Sequence, residues 1–100
     1  MTKYVDTLQQ SKFKAMYRQH GISYLGLFGS FARGEETPRS DVDILIDFNA
    51  TKTLFDLVKI QQQLSDLLNK RVDLVTKNSI NKYIKPYIQD DIQVIYAKKS

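Results

Sequence analysis

Between Gly29 and Asp47 the chain reads GSFARGEETPRSDVDILID. A Gly-Ser pair closes one apolar run, a polar, turn-rich loop follows, and two aspartates take alternate positions at the start of a second apolar run. Side chains alternate faces along a strand, so Asp41 and Asp43 share one face while Val42, Ile44 and Ile46 share the other. Two carboxylates about 7 Å apart on one face repel each other and are costly to hold near a buried surface. A divalent cation between or beside them removes the conflict. The alternative is that Asp41 caps a turn and Asp43 lies on a solvated strand. Gly29 and Ser30 weigh against it: glycine lets the backbone turn unobstructed, and Ser30 opens a short helical turn whose free N–H groups and hydroxyl suit phosphate. The stretch reads as a phosphate cradle followed by a metal site.

The elements that must position these residues follow from pattern. Ile22 to Phe28 is the first strand, with Leu25 to Phe28 its buried end. Thr37-Pro38 denies the loop a ladder hydrogen bond, so the second strand runs from Asp41 to Phe48. Upstream, Asp6 to His20 fits an amphipathic helix ended by Gly21. His20, the single histidine, reads as a capping or surface residue. Thr53-Leu54-Phe55-Asp56 has capping-box form and opens a helix to about Asn69. Leu54, Leu57, Ile60, Leu64, Leu67 and Leu68, widened by Phe55 and Val58, form its expected core stripe, with Lys59, Gln62 and Asp66 wet. Arg71 to Thr76 is a third strand, Ser79 to Tyr87 a short helix kinked or ended by Pro86, and Ile92 to Tyr96 an edge strand. The expected fold is α/β (α+β): a small mixed sheet of about four strands with helices on one face and the carboxylate face open.

Asp73 stands in the middle of the third strand, where a carboxylate is unfavourable unless something compensates. A strand lying beside the second would bring it to Asp41 and Asp43. A surface position on an edge strand is the alternative. Asp47 alternates onto the Asp43 face too, but at the strand's far end.

One hundred residues predict one domain spanning 1–100. There is no cysteine, so disulfides and thiolate metal sites are excluded. Oxygen ligands favour Mg²⁺ or Mn²⁺. The net charge of +4 suits a nucleotide or an acidic partner, but the fifteen basic residues are scattered, which argues against direct nucleic-acid binding. The polar N-terminus and the absence of any apolar run of bilayer length predict a cytoplasmic protein with no membrane contact.

GSFARG followed by SDVDILID resembles the DNA polymerase β-like nucleotidyltransferases, and more narrowly the minimal nucleotidyltransferases (MNT or MntA type) that serve as antitoxins beside HEPN-domain toxins. The resemblance is strong over Leu25 to Phe48 and weaker over Arg71 to Thr76. It implies a polymerase β-like fold and an enzyme moving AMP from ATP to a hydroxyl. Asp41, Asp43 and Asp73 would be the catalytic, metal-holding acids, and Gly29 and Ser30 would bind the nucleotide. Arg33 would neutralise phosphate or else pack on its loop. By the same resemblance the acceptor is a tyrosine of a HEPN ribonuclease toxin, which would make a hetero-oligomer. The alternatives are an antitoxin that acts by binding only, and a nucleotidyltransferase subunit acting on a small molecule.

Overall fold

The two apolar runs ISYLGLF and VDILIDF pair side by side as the centre of a sheet. In the computed structural model, which describes residues 3–77 and 90–98, β1 (Ile22–Phe28) and β2 (Val42–Phe48) are antiparallel, with Leu27 opposite Ile44 and Phe28 opposite Asp43. β3 (Val72–Thr76) lies parallel to β2, and β4 (Gln93–Ala97) lies antiparallel to β1, giving the order β3-β2-β1-β4. The mixed four-stranded sheet expected from the sequence is therefore present. A parallel pair needs a crossover, and α4 (Leu54–Leu68) supplies it between β2 and β3.

Helices cover one face. Val5 and Leu8 of α1 (Lys3–Leu8), Phe13, Met16 and Tyr17 of α2 (Ser11–Gln19), and Ile60 and Leu64 of α4 meet Ile22, Leu25, Leu27, Val42, Ile44, Ile46, Val72 and Ile95 of the sheet in one buried cluster. The alternation expected of β2 holds: Val42 and Ile44 are fully buried while Asp43 is half-exposed on the other face.

The single helix expected over Asp6 to His20 is instead two. Leu8 and Phe13 are both fully buried, yet residues five apart on one helix point about 140° away from each other. A break at Gln10, whose backbone is extended (φ −66°, ψ 154°), turns both inward. The Leu8 carbonyl at the end of α1 accepts a 2.8 Å hydrogen bond from the Tyr17 hydroxyl. His20 caps α2, and Gly21 takes a φ of +67° just beyond it, as a helix-ending glycine should.

β2 begins at Val42 rather than Asp41, and β4 runs one residue later than expected at each end. The Thr53–Asp56 capping box is complete in both directions, and the backbone and hydroxyl of Thr53 hold the Asp56 carboxyl below the usual range. The core stripe of α4 is narrower than its sequence suggests. Ile60 and Leu64 are buried and Leu68 packs on the core, but Leu54, Phe55, Val58 and Leu67 are exposed. Ile60 and Leu64 mark the inward face, and at 100° per residue Phe55 and Val58 point about 140° and 160° away from Ile60, so they face outward. The helix expected over Ser79 to Tyr87 lies outside the described residues. Among the described residues, no helix is long and apolar enough to cross a membrane.

Candidate active site

The site begins where β1 ends. Gly29 has φ +76° and ψ −156° and caps α3 (Ser30–Arg33), a single turn whose Phe31 and Ala32 anchor it in the core. The Gly29 carbonyl accepts the N–H groups of Ala32 (3.1 Å) and Arg33 (3.2 Å). The N–H groups of Ser30 and Phe31 occupy the positions that have no intrahelical acceptor.

Asp43 packs against this turn. A Cβ placed on Gly29 would overlap Asp43 Oδ2 and stand 3.1 Å from its Cγ. Glycine is thus required twice, for its left-handed backbone and for the carboxylate that fills the space a side chain would take. That contact joins the Gly-Ser turn to the Asp-x-Asp strand.

Parallel pairing of β2 and β3 sets Val42 beside Val72 and Asp43 beside Asp73. Adjacent strands are about 4.8 Å apart, so these two acids share one face at the spacing of nearest neighbours. Asp41 precedes β2, and Asp47 sits at the strand's far end, where its Oδ1 accepts the Phe48 N–H at 3.0 Å. Burial pushes the Asp43 carboxyl up, the negative charges of Asp73 and Asp41 raise it further, and Arg33 offsets part of the rise. Asp43 and Asp73 are thus set side by side, and Asp41 lies near enough for its charge to act on Asp43, while Asp47 stands apart.

Arg33 is already engaged. Its Nη1 donates to Asp91 Oδ2 at 2.7 Å and its Nε to Glu35 Oε2 at 3.3 Å. Together with the Gln93 side chain, which donates to the Ala32 carbonyl at 2.8 Å, this ties α3 to the β4 end of the sheet. Arg71 Nε stands 3.9 Å from Asp41 Oδ1. Sequence reading passed over Arg71, although superimposing Asp-Val-Asp on Arg-Val-Asp, as the parallel register does, sets it beside Asp41.

The acid face is not bare. Leu45 lies on it, between Asp43 and Asp47, and is only 4% exposed. It stands opposite Gly26, where a Cβ would meet Tyr24 Oη at 3.0 Å and Ile92 Cγ2 at 3.2 Å. Lys77 Nζ lies 3.9 Å from the Tyr24 ring centre. The carboxylates therefore border a partly apolar floor, and such a floor strips water from Asp43.

The donor set suits a hard divalent cation, being carboxylate oxygen throughout. The concentration of negative charge around a desolvated Asp43 is the condition such an ion relieves. Among the described residues, no three His, Cys, Asp or Glu side chains already stand as a ready ligand set. Asp41 is half-exposed, with its Oδ1 facing Arg71 Nε, and Asp73 is exposed.

Comparison with known proteins agrees with this geometry. The family model described as "Nucleotidyltransferase domain" matches residues 11–95. The Methanocaldococcus jannaschii protein MJ0126, provisionally named a protein adenylyltransferase, is 44% identical over 80 residues, which cover 79% of this chain and 82% of that protein. Among solved structures, a provisionally named minimal nucleotidyltransferase superimposes with a TM-score of 0.76 at 27% identity, over 93% of this chain and 95% of the other. An MNT antitoxin in complex with a tri-AMPylated Shewanella oneidensis HEPN toxin shares the fold, with a TM-score of 0.67 at 20% identity over 91% of this chain and 71% of that one. A Gly-Ser turn packed on an acidic strand, a third acid in parallel register and a family match over most of the length converge, and this chain belongs to the nucleotidyltransferase domain family.

Proposed function

We propose that the protein is a metal-dependent adenylyltransferase that moves AMP from ATP to a tyrosine of a HEPN-domain toxin, and so acts as the antitoxin of the pair. The observation that carries the chemistry is Asp43, desolvated against Gly29 and flanked by the charges of Asp41 and Asp73. In this reading Asp41, Asp43 and Asp73 would hold Mg²⁺ or Mn²⁺, which would supply positive charge to the triphosphate and lower the pKa of the attacking hydroxyl. Gly29 and Ser30 orient the outer phosphates at the open start of α3. The acceptor oxygen then bonds to the α-phosphorus in line as the bond to pyrophosphate breaks. Arg33 braces the turn through Asp91 and Glu35, and it reaches phosphate only by releasing one of them.

The choice of acceptor draws on the name of the M. jannaschii relative and on the tri-AMPylated toxin that the MNT antitoxin of like fold is bound to. The test mixes the protein with labelled ATP and a HEPN-domain toxin encoded beside it, followed by intact-mass measurement. A gain of AMP units that requires Mg²⁺ and is lost in Asp41→Asn/Asp43→Asn is expected. Removal of one preorganised electrostatic contributor costs about 10²–10³ in rate, and the double change removes more. Equal neutralisation of the toxin by wild type and double variant, with no mass gain, defeats the enzymatic reading in favour of an antitoxin that acts by binding.

A further inference from the structure

One stripe of α4 starts on the outward side of the helix and passes to the β3 edge, where Ser65 Oγ accepts the Val72 N–H at 3.2 Å. Leu54, Phe55 and Val58 occupy its first turns and are 75%, 86% and 56% exposed. Gln61, Gln62, Ser65 and Asn69 continue it at helical spacing, since residues three and four apart stack on one face. From Val58 to Arg71 the stripe lines a shallow groove of ≈ 780 Å³. A second groove, ≈ 490 Å³, shares Asn69, Lys70 and Arg71 with the first and runs on to Arg39 and Asp41. The two grooves therefore join: Val58 at one end, amide and hydroxyl in the middle, three cations next, and then the first acid of the candidate site, with Leu54 and Phe55 one turn before Val58 on the helix surface.

The charges at that end are not used up within the described residues. Arg39 and Lys70 make no ion pair among them, and Arg71 has only its 3.9 Å approach to Asp41. Asp66, the other acid of the groove, accepts from Gln62 at 3.0 Å. Exposed hydrocarbon near one end of a groove and cations at the other suit an occupant with apolar anchors followed by acidic residues. RNA would need cations along the whole path, and the first half offers none in line.

We propose that this strip is the docking surface for the acceptor protein, which lays an apolar-anchored, acidic segment along α4 and delivers its hydroxyl past Lys70 and Arg71 to the Asp41 end of the site. The proposal rests on the protein-acceptor reading above and adds the route and the chemical character of the acceptor segment. Lys70 and Arg39 are then specificity-determining residues, and Phe55 and Val58 are the anchor site.

The test uses short fluorescent peptides, each with one tyrosine and a pair of leucines four residues apart, whose other positions are acidic, neutral or basic. Each is titrated by anisotropy against the wild-type chain, Lys70→Glu and Phe55→Ser, at low and high salt. The acidic peptide should bind about tenfold or more tighter than the basic one and weaken with salt, as steered charged partners do. Lys70→Glu should erase the charge preference, and Phe55→Ser should weaken the acidic and neutral peptides alike. Phe55 is exposed, and Lys70 is half-exposed with no ion pair among the described residues, so melting temperatures should stay near the wild-type value. Equal binding of all three peptides, binding of none, or a charge preference kept by Lys70→Glu overturns the proposal. Concentration-dependent self-association abolished by Phe55→Ser also overturns it, in favour of a second copy. Incubation of the bound acidic peptide with ATP and Mg²⁺ is read separately: a peptide that docks through Lys70 and Phe55 but gains no AMP leaves the surface standing and counts against the transfer reading instead.

Discussion

Substituting Gly29 by alanine tests the join between the phosphate turn and the acidic strand, because two separate costs should appear. The first is conformational: at φ +76° an L side chain costs about 1–3 kcal/mol. The second is contact, since the new methyl would overlap Asp43 Oδ2 and crowd its Cγ. Gly34 has a φ of +71° and open space where a Cβ would go, but its ψ of 23° is left-handed helical, which costs an L residue less than the ψ of −156° at Gly29, so Gly34→Ala should show a smaller backbone cost and no contact, and the cycle with Asp43 isolates the contact. In a domain of this size each kcal/mol moves the melting temperature by roughly 4–8 °C, so the two variants should be resolvable by thermal unfolding. Gly29→Ala should cost more than Gly34→Ala, and the excess should shrink when Asp43→Ala is added, because the overlapping Oδ2 and Cγ are removed and only the tight 3.3 Å contact with the Asp43 Cβ remains. Neighbouring residues in contact typically couple by about 0.5–3 kcal/mol in such a cycle. Equal costs for the two glycines, or a Gly29/Asp43 cycle that is additive within about 0.5 kcal/mol, would refute the contact and with it the geometry assigned to the site.

Asp43→Asn should raise the melting temperature at neutral pH. With its pKa raised on folding, the folded state holds a proton that the unfolded state has released, so stability falls as pH rises from the ordinary carboxylate range through the Asp43 value. The gain should vanish in acid, where both states are protonated; a gain that grows as pH falls would show that Asp43 is stabilised as an anion. Mg²⁺ with ATP should raise the wild-type melting temperature and leave Asp41→Asn/Asp43→Asn unmoved, and an equal shift in both, or one that survives a chelator, removes the metal from the site. Ile44→Ala, at a fully buried position of β2, should cost about 2–5 kcal/mol in denaturant unfolding. Tyr17→Phe should cost about 1–3 kcal/mol by leaving the Leu8 carbonyl at the end of α1 without its 2.8 Å donor, and no loss would deny the hydroxyl that role.

The parts of the site that could be read in the sequence are those fixed by neighbours in the chain. Gly29 and Ser30 follow an apolar run, Asp41 and Asp43 alternate with Val42 and Ile44, and strand periodicity alone puts the acids on one face. Asp73 required more, because its place depends on β3 running parallel to β2 in one particular register; the pairing of Val42 with Val72 supplies it. Arg33 could not be settled from its surroundings in the chain, since its shortest bond goes to Asp91, 58 residues away. The break at Gln10 was hidden for a similar reason: a helical pattern over Asp6 to His20 is locally sound, and only the demand that Leu8 and Phe13 both reach the core, with Tyr17 closing the gap, overrides it.

The exposed apolar half of α4 is a different kind of departure. Periodicity reports which residues would be buried if something lay against them, and it is silent about whether that something belongs to the same chain. Leu54, Phe55 and Val58 repeat at the spacing of a packed face, yet Phe55 and Val58 point away from Ile60 and the sheet. Single exposed apolar side chains are ordinary on a protein surface, but three on adjoining turns of one stripe, in line with a groove that ends at an active-site acid, are not scattered. On the docking proposal, the same pattern that overestimates the core of this chain marks a surface that another molecule completes, and the residues that fail as core are the ones to mutate in looking for it.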